Sequence, residues 1–320
     1  MNLYTFNCQG LAGKERLFEF EKAWEGLDFD IVGIAESRIF GEKLMIRNNG
    51  NYLYYRGESK GYRGVGFYIH KKWNNRIKQI KSVSDRIGFV KLEIEMNINL
   101  LVIQLYAPTM QAENEAIEEF YEQLTNVLKG EKEYYTLVLG DFNAKVGRED
   151  AKAGFSCLGQ YCSNESSNSN GESLINFASE EDLKIMNTFY KKRKNDKWTW
   201  LSPDNKTKNE IDFCLCNDKK IVKDVKVIKN LKFPSDHRPL KIHLVIPKRS
   251  KIQNSFSRNK GRNKTIPENK IIEAKWDLVN RLQKWKTQSN STQERYNGLL
   301  DILRETIKKF EKPTSKNKTD

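Results

Sequence analysis

Residues 137–143 read Leu137-Val138-Leu139-Gly140-Asp141-Phe142-Asn143: a short apolar run, a glycine, then an acid and an amide separated by one aromatic. A run that length and that apolar suits a strand buried on both faces. Its polar end then lies at the rim of a sheet, where rigid elements place side chains accurately. The same pattern recurs on either side. The run 3–6 ends in Asn7, 31–35 in Glu36 and 100–105 in Tyr106. Ile211 is followed by Asp212, and Ser235-Asp236-His237-Arg238-Pro239 precedes the apolar run 240–246. Taken singly, each has an ordinary explanation: an Asp-Phe-Asn turn satisfying its own backbone, a solvated Glu36, a structural His237. Six strand ends carrying complementary carboxylates, amides, a phenol and an imidazole point instead to one shared site.

Strands are predicted over 3–7, 31–36, 65–69, 89–95, 100–106, 135–139, 211–216, 222–228 and 240–246. Helical spacing falls in 14–24, 112–128 and 174–181, and the tract 163–171 reads as a polar loop without structure of its own. About a dozen strands with a minority of helices predict an α/β fold: a four-layer sandwich of two mixed β-sheets packed face to face, helices outside.

The chain has 320 residues and a formal charge of +14, distributed unevenly. Residues 1–247 carry 37 Lys and Arg against 34 Asp and Glu, a net of +3; residues 248–320 carry 19 against 8, a net of +11. The expected organisation is a domain over 1–247, a basic linker or nucleic-acid-contacting arm over 248–266, a helical segment over 267–312 and a disordered end over 313–320. Within the helical segment, 268–288 and 292–310 are amphipathic and read as part of a downstream region or the docking face for a partner. No stretch approaches the ~18 apolar residues of a membrane span, and the N-terminus lacks a secretory pattern. Five cysteines without a CxxC pair fit buried reduced thiols of an intracellular protein, not a zinc site.

The strand-end groups suit metal-assisted attack on phosphate. Glu36 and Asp236 supply hard oxygen ligands for Mg²⁺, with Mn²⁺ an alternative. Asp141 and His237 are both candidate bases, Asp212 fixes the imidazole, and Asn7, Asn143 and Tyr106 donate to phosphate oxygens. The basic loop Lys191-Lys192-Arg193-Lys194 with Trp198 and Trp200 suits a DNA backbone beside a surface aromatic.

At these residues the chain resembles the endonuclease/exonuclease/phosphatase superfamily. Matching segments stand in family order: Asn7-Cys8-Gln9-Gly10, Ala35-Glu36-Ser37, Gly64-Val65-Gly66, Leu105-Tyr106-Ala107-Pro108, Gly140-Asp141-Phe142-Asn143, Glu210-Ile211-Asp212-Phe213 and Ser235-Asp236-His237-Arg238-Pro239. Asn170-Gly171-Glu172, Met186-Asn187-Thr188-Phe189 and Trp198-Thr199-Trp200 resemble the endonuclease domain of non-LTR (LINE-type) retrotransposons and host proteins derived from them. The resemblance implies a DNase-like fold and a Mg²⁺-dependent DNA endonuclease, acting without a membrane and in the nucleus. It implies Glu36, Asn7 and Asp236 at the metal, and Asp141, His237, Asp212, Tyr106 and Asn143 in catalysis. Asn7, Asn143, Asn187, Trp200 and Arg193 would contact phosphate or nucleic acid. Gln9 stands where abasic-site enzymes carry an acid, which disfavours a repair role. No Tyr-Xaa-Asp-Asp polymerase motif occurs, so nicking is carried over and polymerisation is not. Two other outcomes stay open: a host-derived nucleic-acid-binding protein that no longer cuts, and a phosphomonoesterase of the same superfamily.

Overall fold

Successive strand residues face different layers, and this alternation builds the fold. The computed structural model describes residues 1–96, 98–246 and 292–310, with single positions 270, 274, 277, 278, 281, 282 and 285. Strands β1 (Asn2–Asn7), β2 (Ile31–Ala35), β3 (Gly41–Ile46), β4 (Tyr52–Gly57) and β5 (Val65–Ile69) come first. They are followed by β6 (Ile77–Ser82), β7 (Ile87–Glu95), β8 (Ile98–Tyr106), β9 (Tyr135–Asp141) and β10 (Lys184–Ile185). The last are β11 (Trp200–Leu201), β12 (Lys208–Asn209), β13 (Asp212–Cys216), β14 (Val222–Val227) and β15 (Leu240–Leu244). One mixed seven-stranded sheet runs β14-β15-β1-β2-β5-β4-β3, and a mixed six-stranded sheet runs β10-β13-β9-β8-β7-β6. The remaining pair, β11 and β12, forms a short hairpin.

Leu3, Ile31, Val102 and Leu137 face the layer between the sheets, joined there by Cys214 and Cys216. Their neighbours Tyr4 and Val32 turn outward onto helix α1 (Lys14–Glu25), against Phe20 and Trp24. Ile103 and Val138 turn the opposite way, toward Phe120 and Leu124 of α2 (Asn114–Gly130) and Leu174 of a later helix. The four-layer α/β sandwich expected from the sequence is what forms. All five cysteines are free and buried. Between the sheets Gly33 leaves room for Gln104: a Cβ there would lie 1.9 Å from Gln104 Oε1 and force that side chain to move.

Two departures from the sequence reading have clear causes. Strands β3, β4 and β6 and the two-residue strands β10, β11 and β12 lie outside the predicted set. β3 is an edge strand whose residues are mostly exposed, so it lacks the buried alternation that marks a strand. The tract 163–171 is not wholly loop. After the five-residue α3 (Arg148–Lys152), helix α4 (Ser169–Glu180) begins inside it, because the Asn168 side chain accepts from Gly171 N at 2.9 Å and caps the first turn.

The chain divides into two compact units, Met1–Pro247 and Lys248–Asp320. In the second unit, α5 (Thr292–Phe310) is helical, with Thr306 and Phe310 buried and Leu299, Leu303 and Ile307 partly exposed. The basic linker 248–266, most of the helix expected over 268–288 and the end 313–320 lie outside the described residues. Among the described residues no helix is long and apolar enough to cross a membrane.

Candidate active site

Strand register alone assembles most of the site. In the six-stranded sheet Tyr106 pairs with Asp141, and Asp141 with Asp212, so three strand ends form one row. In the seven-stranded sheet Asn7 pairs with Ala35, which sets Glu36 beside it. Gly140, at φ +154°, adopts a backbone that side chains disfavour, and a Cβ there would lie 2.2 Å from Leu105 O. Only glycine therefore allows the strand to run straight into Asp141.

The segment carrying Asp236 and His237 is held by the β11 hairpin. Trp200 bridges to His237, Leu201 N donates to Asp236 O at 3.0 Å, and Arg238 N to Thr199 O at 2.7 Å. From the other side, Ser235 Oγ donates to Asn7 O at 2.8 Å. A cleft of about 460 Å³ results, lined by Glu36, Tyr106, Asp141, Asn143, Asp236 and His237 among others.

Asn7 is the hinge between the sheets: its Nδ2 donates to Glu36 Oε1 at 2.9 Å and to Asp141 Oδ2 at 3.0 Å. Arg38 grips Glu36 Oε2 with Nε at 3.1 Å and Nη2 at 2.5 Å. Burial pushes the Glu36 carboxyl up, but hydrogen bonds from Asn7, Arg38 and Tyr106 overcome this and hold it below the usual range.

Asp141 behaves oppositely. Burial and the nearby Asp212 charge push its carboxyl up to about 7, against the pull of His237, Asn7 and Asn143 N. His237 Nδ1 lies 2.9 Å from Asp212 Oδ2, while Nε2 lies 3.7 Å from Asp141 Oδ2 and 3.9 Å from Asp236 Oδ1. Burial opposes charge on this imidazole, yet three carboxylates outweigh it and raise its pKa to about 9. At neutral pH His237 is therefore an imidazolium.

Asp141, Asp212 and His237 each offer one ligand atom within 4.8 Å of the others, close enough to hold a metal ion. With Nδ1 committed to Asp212 and the ring protonated, however, this cluster is a poor cation trap. Asp236 and Glu36 fit better. Asp236 Oδ1 is a buried carboxylate oxygen without a hydrogen-bond partner, its Oδ2 taken by Trp200 Nε1 at 3.1 Å. It shares the cleft with Glu36, and hard oxygen donors of this kind suit Mg²⁺ or Mn²⁺.

The remaining expected residues divide. Asn143, at φ +50°, donates from Nδ2 to Ala107 O at 2.9 Å and sits on the cleft wall, and Trp200 lines it too. Trp198 is half-buried, with the Arg238 guanidinium 3.2 Å from its ring centre. Asn187 is not at the rim. It is buried, donating from Nδ2 to Glu210 Oε1 and Asp212 O and accepting from Cys214 N, each at 3.0 Å, so it braces the Asp212 strand and is not among the residues lining the cleft. Arg193 is exposed on the turn before a short 3₁₀ helix and is not among the residues lining the cleft.

Sequence reading missed the buried pair Lys197–Glu210, 3.3 Å apart, whose Glu210 accepts from Asn187, and also Arg38, which pairs with Glu36, and Lys145, which lines the cleft. A Lys beside the Trp198-Thr199-Trp200 segment, answered by Glu210 just before Asp212, was the one available signal for the buried pair.

The family described as "Endonuclease-reverse transcriptase" matches residues 100–241. Craniofacial development protein 2 of Bos taurus is 31% identical over 240 residues, covering 74% of this chain and 39% of that protein, so the chain spans about two fifths of the relative it matches. Among solved structures, the 3′ phosphatase NExo of Neisseria, bound to a product DNA hairpin, has a TM-score of 0.58 at 17% identity, covering 77% of this chain and 100% of that one. The endonuclease domain of TRAS1, a telomere-specific non-LTR retrotransposon, has a TM-score of 0.53 at 14% identity, covering 77% and 99%. With these matches on the strand-end site just described, the chain belongs to the endonuclease/exonuclease/phosphatase superfamily.

Proposed function

We propose that this chain is a divalent-cation-dependent phosphodiesterase that nicks DNA in the nucleus. The observation that carries the reading is the joining of two unlike carboxylates through Asn7: an ionised Glu36 and a buried Asp141 of raised pKa facing an imidazolium. Glu36 and Asp236, with Asn7 beside them, would hold Mg²⁺ or Mn²⁺, whose bound charge offsets that developing on the scissile phosphate.

The sequence leaves the base undecided between Asp141 and His237. The charge on His237 favours Asp141. Its carboxylate takes the proton of the attacking water, since a protonated His237 has no lone pair to accept it. His237, oriented by Asp212, donates from Nε2 toward a phosphate oxygen as negative charge builds. Asn143 and Tyr106 border the same space and hold the phosphate. Burial and the neighbouring Glu36 and Asp141 keep the Tyr106 phenol protonated, hence a donor. Trp200 offers a face for a base or sugar.

Supercoiled plasmid with Mg²⁺ tests the proposal: open-circular product, abolished by chelator, is expected. Intact plasmid with inorganic phosphate released from a 3′-phosphorylated oligonucleotide would replace it with the phosphomonoesterase reading. Retained DNA binding without either product would favour a host-derived binding protein.

A further inference from the structure

Arg38 has no part in the proposed chemistry, yet it sits on a residue that chemistry needs. Glu36 receives three hydrogen bonds, one from Asn7 on Oε1 and two from Arg38 on Oε2, and the Tyr106 phenol lies beside it. A carboxylate oxygen offers about two lone-pair directions, so Arg38 takes both of those on Oε2. A cation can gain Oε2 only by displacing Arg38. Asn7 is buried and fixed between Glu36 and Asp141, and Tyr106 stands at the end of β8. Arg38 is the movable one, its side chain 38% exposed against 14% for Glu36, and of the three neighbours it alone adds a positive charge that repels a cation at the same carboxylate.

An ion pair with this much exposure is ordinarily weak, but here the backbone builds it in. Glu36 and Arg38 hold φ values of +52° and +53°, and the loop is pinned by Ser37 N to Gly64 O at 2.9 Å, Arg38 N to Arg63 O at 2.7 Å and Leu11 N to Ser37 O at 2.8 Å. The strained turn aims both side chains at each other.

We propose that Arg38 is a latch on the cation site: it holds Glu36 when no cation is bound, must leave when one binds, and so makes divalent affinity weaker than the acidic residues alone would give. This rests on the reading of Glu36 as a cation ligand. The test is Mn²⁺ binding to the full 320-residue chain without DNA, measured by calorimetry and by loss of the free Mn²⁺ paramagnetic signal. Arg38→Met is expected to tighten binding by about tenfold. Arg38→Lys keeps the charge but loses the two-pronged grip, and is expected to tighten it by a smaller factor. Glu36→Gln is expected to lose the site. Unchanged or weaker binding in Arg38→Met, with the site lost in Glu36→Gln, overturns the latch and leaves the cation reading standing. Parent-like binding in Glu36→Gln overturns both. If Arg38→Met does not fold, Arg38→Lys decides: tighter binding supports the latch, unchanged or weaker binding removes it.

Discussion

Glu36 and Asp141 share one hydrogen-bonding partner, Asn7, and live in opposite electrostatic worlds. On the Glu36 side every oxygen has a donor, a guanidinium lies alongside, and the carboxyl is held low. On the Asp141 side burial and a second acid push the carboxyl up to about 7, and an imidazolium supplies the compensating charge. The difference teaches how carboxylates can be tuned for the two jobs proposed here: a cation ligand held in its ionised form and a proton acceptor poised near neutrality.

Removing either carboxylate should hurt activity, and Asp141→Asn most, lowering the nicking rate by about 10³-fold or more. Stability should move in opposite directions, which is the sharper way to break the comparison. Because the folded pKa of Asp141 is raised, the native state binds its proton more tightly than the unfolded chain does. Its contribution therefore falls as pH rises from the unfolded value through about 7. Asp141→Asn removes that cost, and a gain of about 1 kcal/mol or more is expected in urea unfolding at alkaline pH with chelator. Glu36 has a lowered pKa, so its contribution is present above the unfolded value and lost as pH falls through the folded one. Glu36→Gln should be less stable by about 1 kcal/mol, discounted because Arg38 is partly exposed. Both variants shifting in the same direction would erase the distinction.

His237→Gln should cut the rate by about 10²-fold and remove the alkaline limb of the pH–rate profile. The sign for stability follows from its raised pKa: the contribution is full below about 6.5 and lost as pH rises through about 9. Asn187→Ala probes the brace behind the site. Leaving Glu210 and Cys214 N without their partner should cost about 1–3 kcal/mol in thermal or urea unfolding, with only a modest fall in rate. The smallest effect on chemistry is expected from deleting residues 248–320, with a net charge of +11. DNA binding should weaken and its salt dependence flatten while the single-turnover rate stays unchanged; a gel-shift series across salt concentrations measures it.

The site was largely legible because each principal residue stands at the end of an apolar strand, and register converts that position into proximity. Tyr106, Asp141 and Asp212 are far apart in the chain and follow no simple spacing, yet they face each other as strand partners. What escaped depends on contacts no local pattern encodes. Arg38 reaches Glu36 through two positive-φ residues, and Lys197 meets Glu210 only after the β11 hairpin folds back. Asn187 was misread for the converse reason: an amide in a nuclease-like segment gives no hint of its depth, and here its three hydrogen bonds all turn inward. The edge strand β3 hid because exposed edges need no apolar alternation.

The proposed mechanism turns on Asp141 as base and His237 as imidazolium in a DNA-nicking site. The most direct measurement is the rate of plasmid nicking at saturating Mg²⁺ between about pH 5 and 10. The expected result is a bell, rising as Asp141 ionises near 7 and falling as His237 loses its proton near 9, with the rate of Asp141→Asn lower by about 10³-fold or more. Nicking by Asp141→Asn at the parent's rate, or no nicking by the parent at any pH, would contradict it.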